Sequence, residues 1–297
     1  VNITIVGPGA IGSLWAIKLL QAGHNVSLWG RSADNSMKLS LDEQVSLSFN
    51  NHNIEKLSES DLVIFTVKVW QVEEATIPLL QHLDPDTILM FMHNGMGAVD
   101  NIATQIDAHP VILATTTQAA FKPNRNNVSH TGIGQTQLGA FNLKGQQCTF
   151  LVDVLEHALP AVSWNPELKT ALWTKLAINC AINPLTGLEQ IKNGELAEQR
   201  FSEVLSSIIK ELTQVMLAEG ITCSFDELEK SVIKVIQATA QNNSSMKQDM
   251  FYQRKTEIDF ITGHLIKTAL KHQIKVPVNK KLFAQVKERE NSWNNQD

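Results

Sequence analysis

The run Ile3-Thr4-Ile5-Val6-Gly7-Pro8-Gly9-Ala10-Ile11-Gly12 joins an apolar strand to a glycine-patterned turn and the opening of a helix. Its G-x-G-x-x-G spacing gives each glycine a separate physical use. Gly7 permits the tight turn, Gly9 lets the backbone approach a diphosphate, and Gly12 lets helix and strand pack closely. The helix that follows offers unpaired N–H groups and the positive end of its dipole, which suit a phosphate. Pro8, Ala10 and Ile11 complete the segment, so 7–12 reads as a cradle for a dinucleotide.

The next apolar run, Asn25–Trp29, ends about 20 residues further on, where the fold needs its second strand. A site preferring NADH places a carboxylate there for the ribose hydroxyls. This chain reads Trp29-Gly30-Arg31 instead. Arg31 can fork onto a 2′-phosphate, and the missing carboxylate removes a repulsive charge. NADPH is therefore the expected cofactor, with a solvated loop arginine as the plainer alternative.

Further short apolar runs at 61–67, 87–92 and 111–117 alternate with helical patterns such as 11–21 and Val72–Leu80. Strand, helix, strand alternation predicts an α/β fold, a doubly wound parallel sheet of the Rossmann type. The Asn- and Ser-rich stretch 32–56 reads as an irregular or antiparallel excursion, and 128–141 as further strands around turns. Past Trp164-Asn165-Pro166 glycine thins out and long helical periods follow at 167–183, 195–218, 225–242 and 248–272. The expectation is two domains: 1–165, Rossmann-like and NADP-binding, and 166–297, all-helical and carrying substrate and catalysis.

A net charge of -5 without long blocks of either sign argues against nucleic acid or a membrane surface as the main partner. No stretch reaches the ~18 apolar residues of a membrane span. Cys148, Cys180 and Cys223 are odd in number and far apart. That pattern predicts neither a disulfide framework nor a metal site, and suits a reducing cytoplasm. The apolar start lacks a basic leader and breaks at Gly7, unlike a secretory signal.

Ligands of such sheets bind outside the carboxyl ends of the strands. Lys68 ends one run and could meet an anion. His93-Asn94-Gly95-Met96-Gly97 ends another, where Asn94 could bind hydroxyls. A third runs into Thr115–Ala120, so all three candidates share one rim. Solvated charge for Lys68 and a turn at Asn94-Gly95 are the bland alternatives.

In the helical half, Lys175, Asn179 and Asn183 recur four residues apart. At ~100° per residue they drift only about 40° per step and share one stripe, opposite Trp173, Leu176, Ala177, Cys180 and Ala181. One base and two amides with no carboxylate make an unusual solvent face. Cys180 has no histidine near it in sequence and reads as a buried helix thiol. Asn242-Asn243-Ser244-Ser245 breaks the helical pattern, and either serine could cap the helix that follows.

From end to end the chain resembles the ketopantoate reductase family. The resemblance rests on 7–12, on Lys68 with Trp70-Gln71-Val72, on His93–Gly97 and on His130-Thr131-Gly132-x-Gly134. It continues through Lys175-Leu176-Ala177-x-Asn179-Cys180-x-x-Asn183-Pro184, Asn193-Gly194-Glu195-Leu196, Ser244-Ser245-Met246-x-Gln248-Asp249, Thr256-Glu257-Ile258-Asp259 and Val276-Pro277-x-Asn279. Pro8, Ala114 and Gln253 depart from the usual pattern.

The resemblance implies NADPH-dependent reduction of 2-dehydropantoate to pantoate, on the route to pantothenate and coenzyme A. It implies Lys175 as catalytic acid, with Glu257 close to the reacting centre. Lys68, Asn94, Ala120 and Glu257 would contact the cofactor. Asn179, Asn183, Asn193, Asn242, Asn243, Ser244 and Ser245, with Lys175, would hold the keto acid. The expected assembly is a monomer or homodimer. Two rivals are a related reductase of another 2-keto acid and a catalytically silent NADP-binding regulator.

Overall fold

The computed structural model describes residues 1–293. They form two compact units, one of Val1–His93 with Ala98–Leu168, the other of Asn94–Gly97 with the chain from Lys169 onward.

The first unit is built on β1 (Asn2–Val6), β2 (Asn25–Trp29), β3 (Ser36–Leu41), β4 (Leu47–Asn51), β5 (Leu62–Phe65) and β6 (Ile88–Met92). Its remaining strands are β7 (Val111–Thr116), β8 (Ala119–Phe121), β9 (Asn127–Gly132), β10 (Thr136–Ala140) and β11 (Val162–Trp164). They lie in the order β11-β10-β7-β6-β5-β1-β2-β4-β3-β9-β8. From β7 to β4 every pairing is parallel. The chain order reverses at β1, so the switch point of this Rossmann-like sheet falls at the glycine turn. β5 and β6 are buried at every residue, as strands covered on both faces must be. The 32–56 excursion is the antiparallel pair β3–β4.

This unit's helices are α1 (Ala10–Gln21), α2 (Ile54–Ser58), α3 (Val72–Leu80), α4 (Ala98–Asn101), α5 (Ala103–Ile106) and α6 (Leu151–Glu156). Helix α1 buries Leu14, Trp15, Ala16, Ile17 and Leu19 together, because it packs against β2, β3, β8 and β9. Register pairs Val6 with Trp29 and with Phe65, which sets Gly7, Gly30-Arg31 and Thr66–Lys68 at one sheet edge.

The second unit consists of α7 (Leu168–Glu189), α8 (Ser202–Ala218), α9 (Phe225–Ala238), α10 (Ser245–Phe251), α11 (Thr262–Lys271) and α12 (Pro277–Trp293), with short 3-10 turns between α7 and α8 and between α10 and α11. Helix α7 runs past Pro184, where the sequence pattern stops at Asn183. Its last turn is held by tertiary bonds, Thr186 Oγ1 lying 2.7 Å from Ser244 Oγ and fully buried. The single helix expected over 248–272 is in fact two. Gln253 adopts a left-handed φ of 51°, and a 3-10 turn at Ile258–Phe260 precedes α11. Helix α12 was absent from the sequence pattern. Among the described residues no helix is long and apolar enough to cross a membrane.

Candidate active site

The glycine turn divides its three glycines by cause. A Cβ on Gly7 would meet Val67 Cγ1 at 2.5 Å, and one on Gly12 would meet Thr66 Oγ1 at 2.2 Å. Packing alone requires both. A Cβ on Gly9 would meet only the Gly7 carbonyl, at 3.9 Å, in otherwise open space. Nothing in the protein demands glycine there, so the open space above Gly9 fits a ligand that approaches the backbone. The first turn of α1 carries no acidic residue, so its positive end is unopposed.

Arg31 is exposed at the end of β2. The loop that carries it is shaped by Asn51. That side chain accepts from Gly30 N at 2.9 Å and donates to the Ser32 and Asp34 carbonyls at 2.9 and 2.6 Å. Asp34, the first carboxylate after β2, is bound to Arg125 and Ser32, which hold its carboxyl below the usual range. It therefore adds little net repulsion toward a phosphate. Lys122, half-buried after β8, donates to the Pro8 carbonyl at 2.7 Å and to Ser13 Oγ at 2.9 Å. Lys68 caps the turn Val69–Gln71 with its ammonium 5.6 Å from the Trp70 ring centroid. Ala120 pairs with His130 in the β8–β9 hairpin.

The second unit gathers residues that lie far apart in sequence. Lys175 projects from α7, and burial pulls its ammonium down to about 8, with the Glu257 carboxylate opposing that fall. Glu257 is 4% exposed, and its Oε2 accepts from Asn94 Nδ2 at 3.4 Å. Asn94 reaches it because the segment Asn94–Gly97 docks on the turn before α11. Met96 N donates to the Phe260 carbonyl at 2.9 Å, and a Cβ on Gly95 would meet that same oxygen at 2.8 Å.

The turn bearing Glu257 is clamped from α12. Glu290 Oε1 accepts from Thr256 N at 2.8 Å and from Thr256 Oγ1 at 2.7 Å. Lys287 bridges Glu290 and Asp259 at 2.9 and 3.0 Å. Sequence reading missed this clamp, since it had no helix there and no local signal links 256 to 290.

Asn179 is half-buried on α7, and Asn183 is buried one turn further on. Asn193 is buried, with Nδ2 on Thr239 Oγ1 at 2.9 Å and Oδ1 without a hydrogen-bond partner among the described residues. Its backbone N–H bonds the Asn242 carbonyl at 3.1 Å, which joins the Asn193 turn to the Asn242–Ser245 loop. Ser244 is the N-cap of α10, accepting from Lys247 N at 3.0 Å. Asn242, Asn243 and Ser245 are exposed. Cys180 is fully buried and its thiol is pushed up to about 12 by that burial, so it is no nucleophile.

A family model described as Ketopantoate reductase PanE/ApbA matches residues 3–142, and its C-terminal counterpart matches residues 167–290. The chain is 52% identical over 292 residues to the 2-dehydropantoate 2-reductase of Vibrio cholerae, covering 98% of this chain and 99% of the relative. The 2-dehydropantoate 2-reductase of Escherichia coli O157:H7 is 37% identical over 296 residues, covering 98% and 96%. Among solved structures, a D-mandelate dehydrogenase with NADH and anilino(oxo)acetate shares the fold. Its TM-score is 0.89 at 22% identity, over 99% of this chain and 100% of that one.

Proposed function

The chain belongs to the ketopantoate reductase family, and from that premise we propose that it reduces the ketone of 2-dehydropantoate to pantoate with NADPH, toward pantothenate and coenzyme A. The observation that carries the reading is the group Lys175, Glu257 and Asn94, a desolvated lysine whose carboxylate partner is buried and bound to an amide.

NADPH, when bound, supplies hydride to the ketone carbon. Negative charge then grows on the ketone oxygen, where the Lys175 ammonium stabilises it and delivers a proton from Nζ. An acid near 8 is still charged at neutral pH yet yields its proton more readily than an ordinary lysine. Glu257, fixed by the Glu290 clamp, draws on the ammonium and orients Asn94. Asn179 and Asn183 suit the acid and hydroxyl groups of the substrate, because amides bind them without competing for the proton. Asn193 and Asn242–Ser245 extend that subsite. The turn 7–12, with Arg31, Lys68 and Ala120, holds the dinucleotide.

Steady-state NADPH oxidation across a panel of 2-keto acids tests the reading. The highest kcat/KM is expected with 2-dehydropantoate. A clear preference for another keto acid would mark a related reductase, and dinucleotide binding without turnover would mark a silent binding protein.

A further inference from the structure

Lys122 lies more than a hundred residues along the chain from the glycine turn, yet its ammonium sits against it. Both acceptors it uses, the Pro8 carbonyl and Ser13 Oγ, are uncharged and belong to the turn and the start of α1. Ser13 Oγ is itself tied to the Pro8 carbonyl at 2.9 Å, so the three groups form one closed unit. An ammonium carries three donors. Two are used here, and the third has no acceptor among the described residues.

The charge balance around this lysine is one-sided. The facing turn 7–12 holds no titratable side chain, and the first turn of α1 has no acidic one. On its own loop the neighbouring charge is Arg125, which repels it. Arg125's carboxylate, Asp34, is already bound by Arg125 and Ser32. Burial and Arg125 together bring the ammonium down to about 8. A half-buried cation beside a helix N-terminus, with no counter-ion, is costly unless an anion completes the site.

We infer that Lys122 is a phosphate-binding residue of the dinucleotide site, where its ammonium neutralises the cofactor's diphosphate. The inference rests on the proposed use of a nicotinamide dinucleotide. It separates Lys122 from Arg31 by the phosphate each serves. NADH and NADPH share the diphosphate, whereas only NADPH carries the 2′-phosphate. Lys122 therefore supports affinity for both and selects neither.

The test compares wild type, Lys122→Gln and Lys122→Arg by titrating the cofactor-free protein with NADPH and with NADH. Loss of one charge-assisted contact predicts roughly 10- to 100-fold weaker binding of both dinucleotides by Lys122→Gln. Lys122→Arg keeps the charge and should stay within a few-fold of wild type. A bound anion raises the ammonium's pKa, so binding takes up protons above about pH 8 and affinity falls as pH rises through that value. Calorimetry at pH 8.5 in two buffers reads that uptake. Lys175 also titrates near 8, so the difference between wild type and Lys122→Gln isolates Lys122.

Unchanged affinity in Lys122→Gln overturns the inference, as does a loss confined to NADPH. Equal losses in the Gln and Arg variants, with a lowered melting temperature of the cofactor-free protein, would reduce Lys122 to a tie for the turn. Failure of the wild type to bind either dinucleotide would instead sink the proposed function.

Discussion

Lys122 in the first unit and Lys175 in the second both titrate near 8, and they reach that value in different company. Lys122 is desolvated and further lowered by Arg125, with uncharged acceptors and no carboxylate. Lys175 is desolvated more deeply, and Glu257 pulls it part of the way back. The contrast shows that a lowered lysine pKa does not by itself name a role. A cation that lacks a counter-ion is poised to receive an anion. One whose counter-ion is built in can lose its proton and regain it within the site.

The largest effect that could break this contrast is on turnover. Lys175→Ala should lower kcat for ketone reduction by roughly 10²–10⁴-fold while NADPH affinity stays near wild type, because the acid acts in the transition state. In wild type, kcat/KM should fall as pH rises through about 8, where the free enzyme loses the proton it must donate. A variant within a few-fold of wild type, or a flat profile to pH 9.5, would remove Lys175 from proton transfer.

Gly9→Val probes the other side. The added side chain enters space that the protein leaves open, so stability should hold while dinucleotide affinity drops by roughly 100-fold or more. Fluorescence titration and a melting curve together check it. Retained tight binding would mean that the ligand does not use this turn.

Arg31→Ala sharpens the contrast by splitting the phosphates. NADPH binding should weaken by roughly 1.5–3 kcal/mol and NADH binding should barely change, with a smaller difference at high salt since Arg31 is exposed. Dissociation constants for both cofactors decide it, and equal weakening would place Arg31 away from the 2′-phosphate.

The smallest expected effect concerns stability. Glu219 is held down to about 2, first by His272 and then by Lys271 and Lys169. A depressed carboxyl stabilises the fold above its unfolded value of about 4.3, and the gain is lost as pH falls toward 2. Its cationic partners are mostly exposed, so Glu219→Gln should cost only about 1 kcal/mol at pH 7 and nothing near pH 2. Denaturant melts at the two pH values test this. An equal cost at both would mean that shape, not charge, matters there.

The glycine turn was legible because its causes are local. Strand, turn and helix N-terminus occupy ten consecutive residues, and the stripe Lys175, Asn179, Asn183 follows from the period of one helix. Arg31's place at the end of β2 was legible for the same reason. The helix breaks were harder to read. Gln253 enters a left-handed turn without glycine or proline to announce it, and α7 passes Pro184 because Thr186 and Ser244 hold its last turn. At Pro184 tertiary contacts outweighed local propensity.

By itself the sequence determined the parallel α/β sheet, the glycine turn and the base-and-amide stripe, since each arises from spacing along consecutive strand, turn and helix residues. Only the tertiary structure decided which charges meet. Glu257 comes to Lys175 and Asn94, Glu290 clamps the turn that carries Glu257, and Lys122 reaches the Pro8 carbonyl. Each of these contacts joins groups at least 34 residues apart, the separation of Thr256 and Glu290. No periodicity spans such distances. What selects the partners is burial, which makes an unpaired polar group costly and so commits it to a neighbour the packed core supplies.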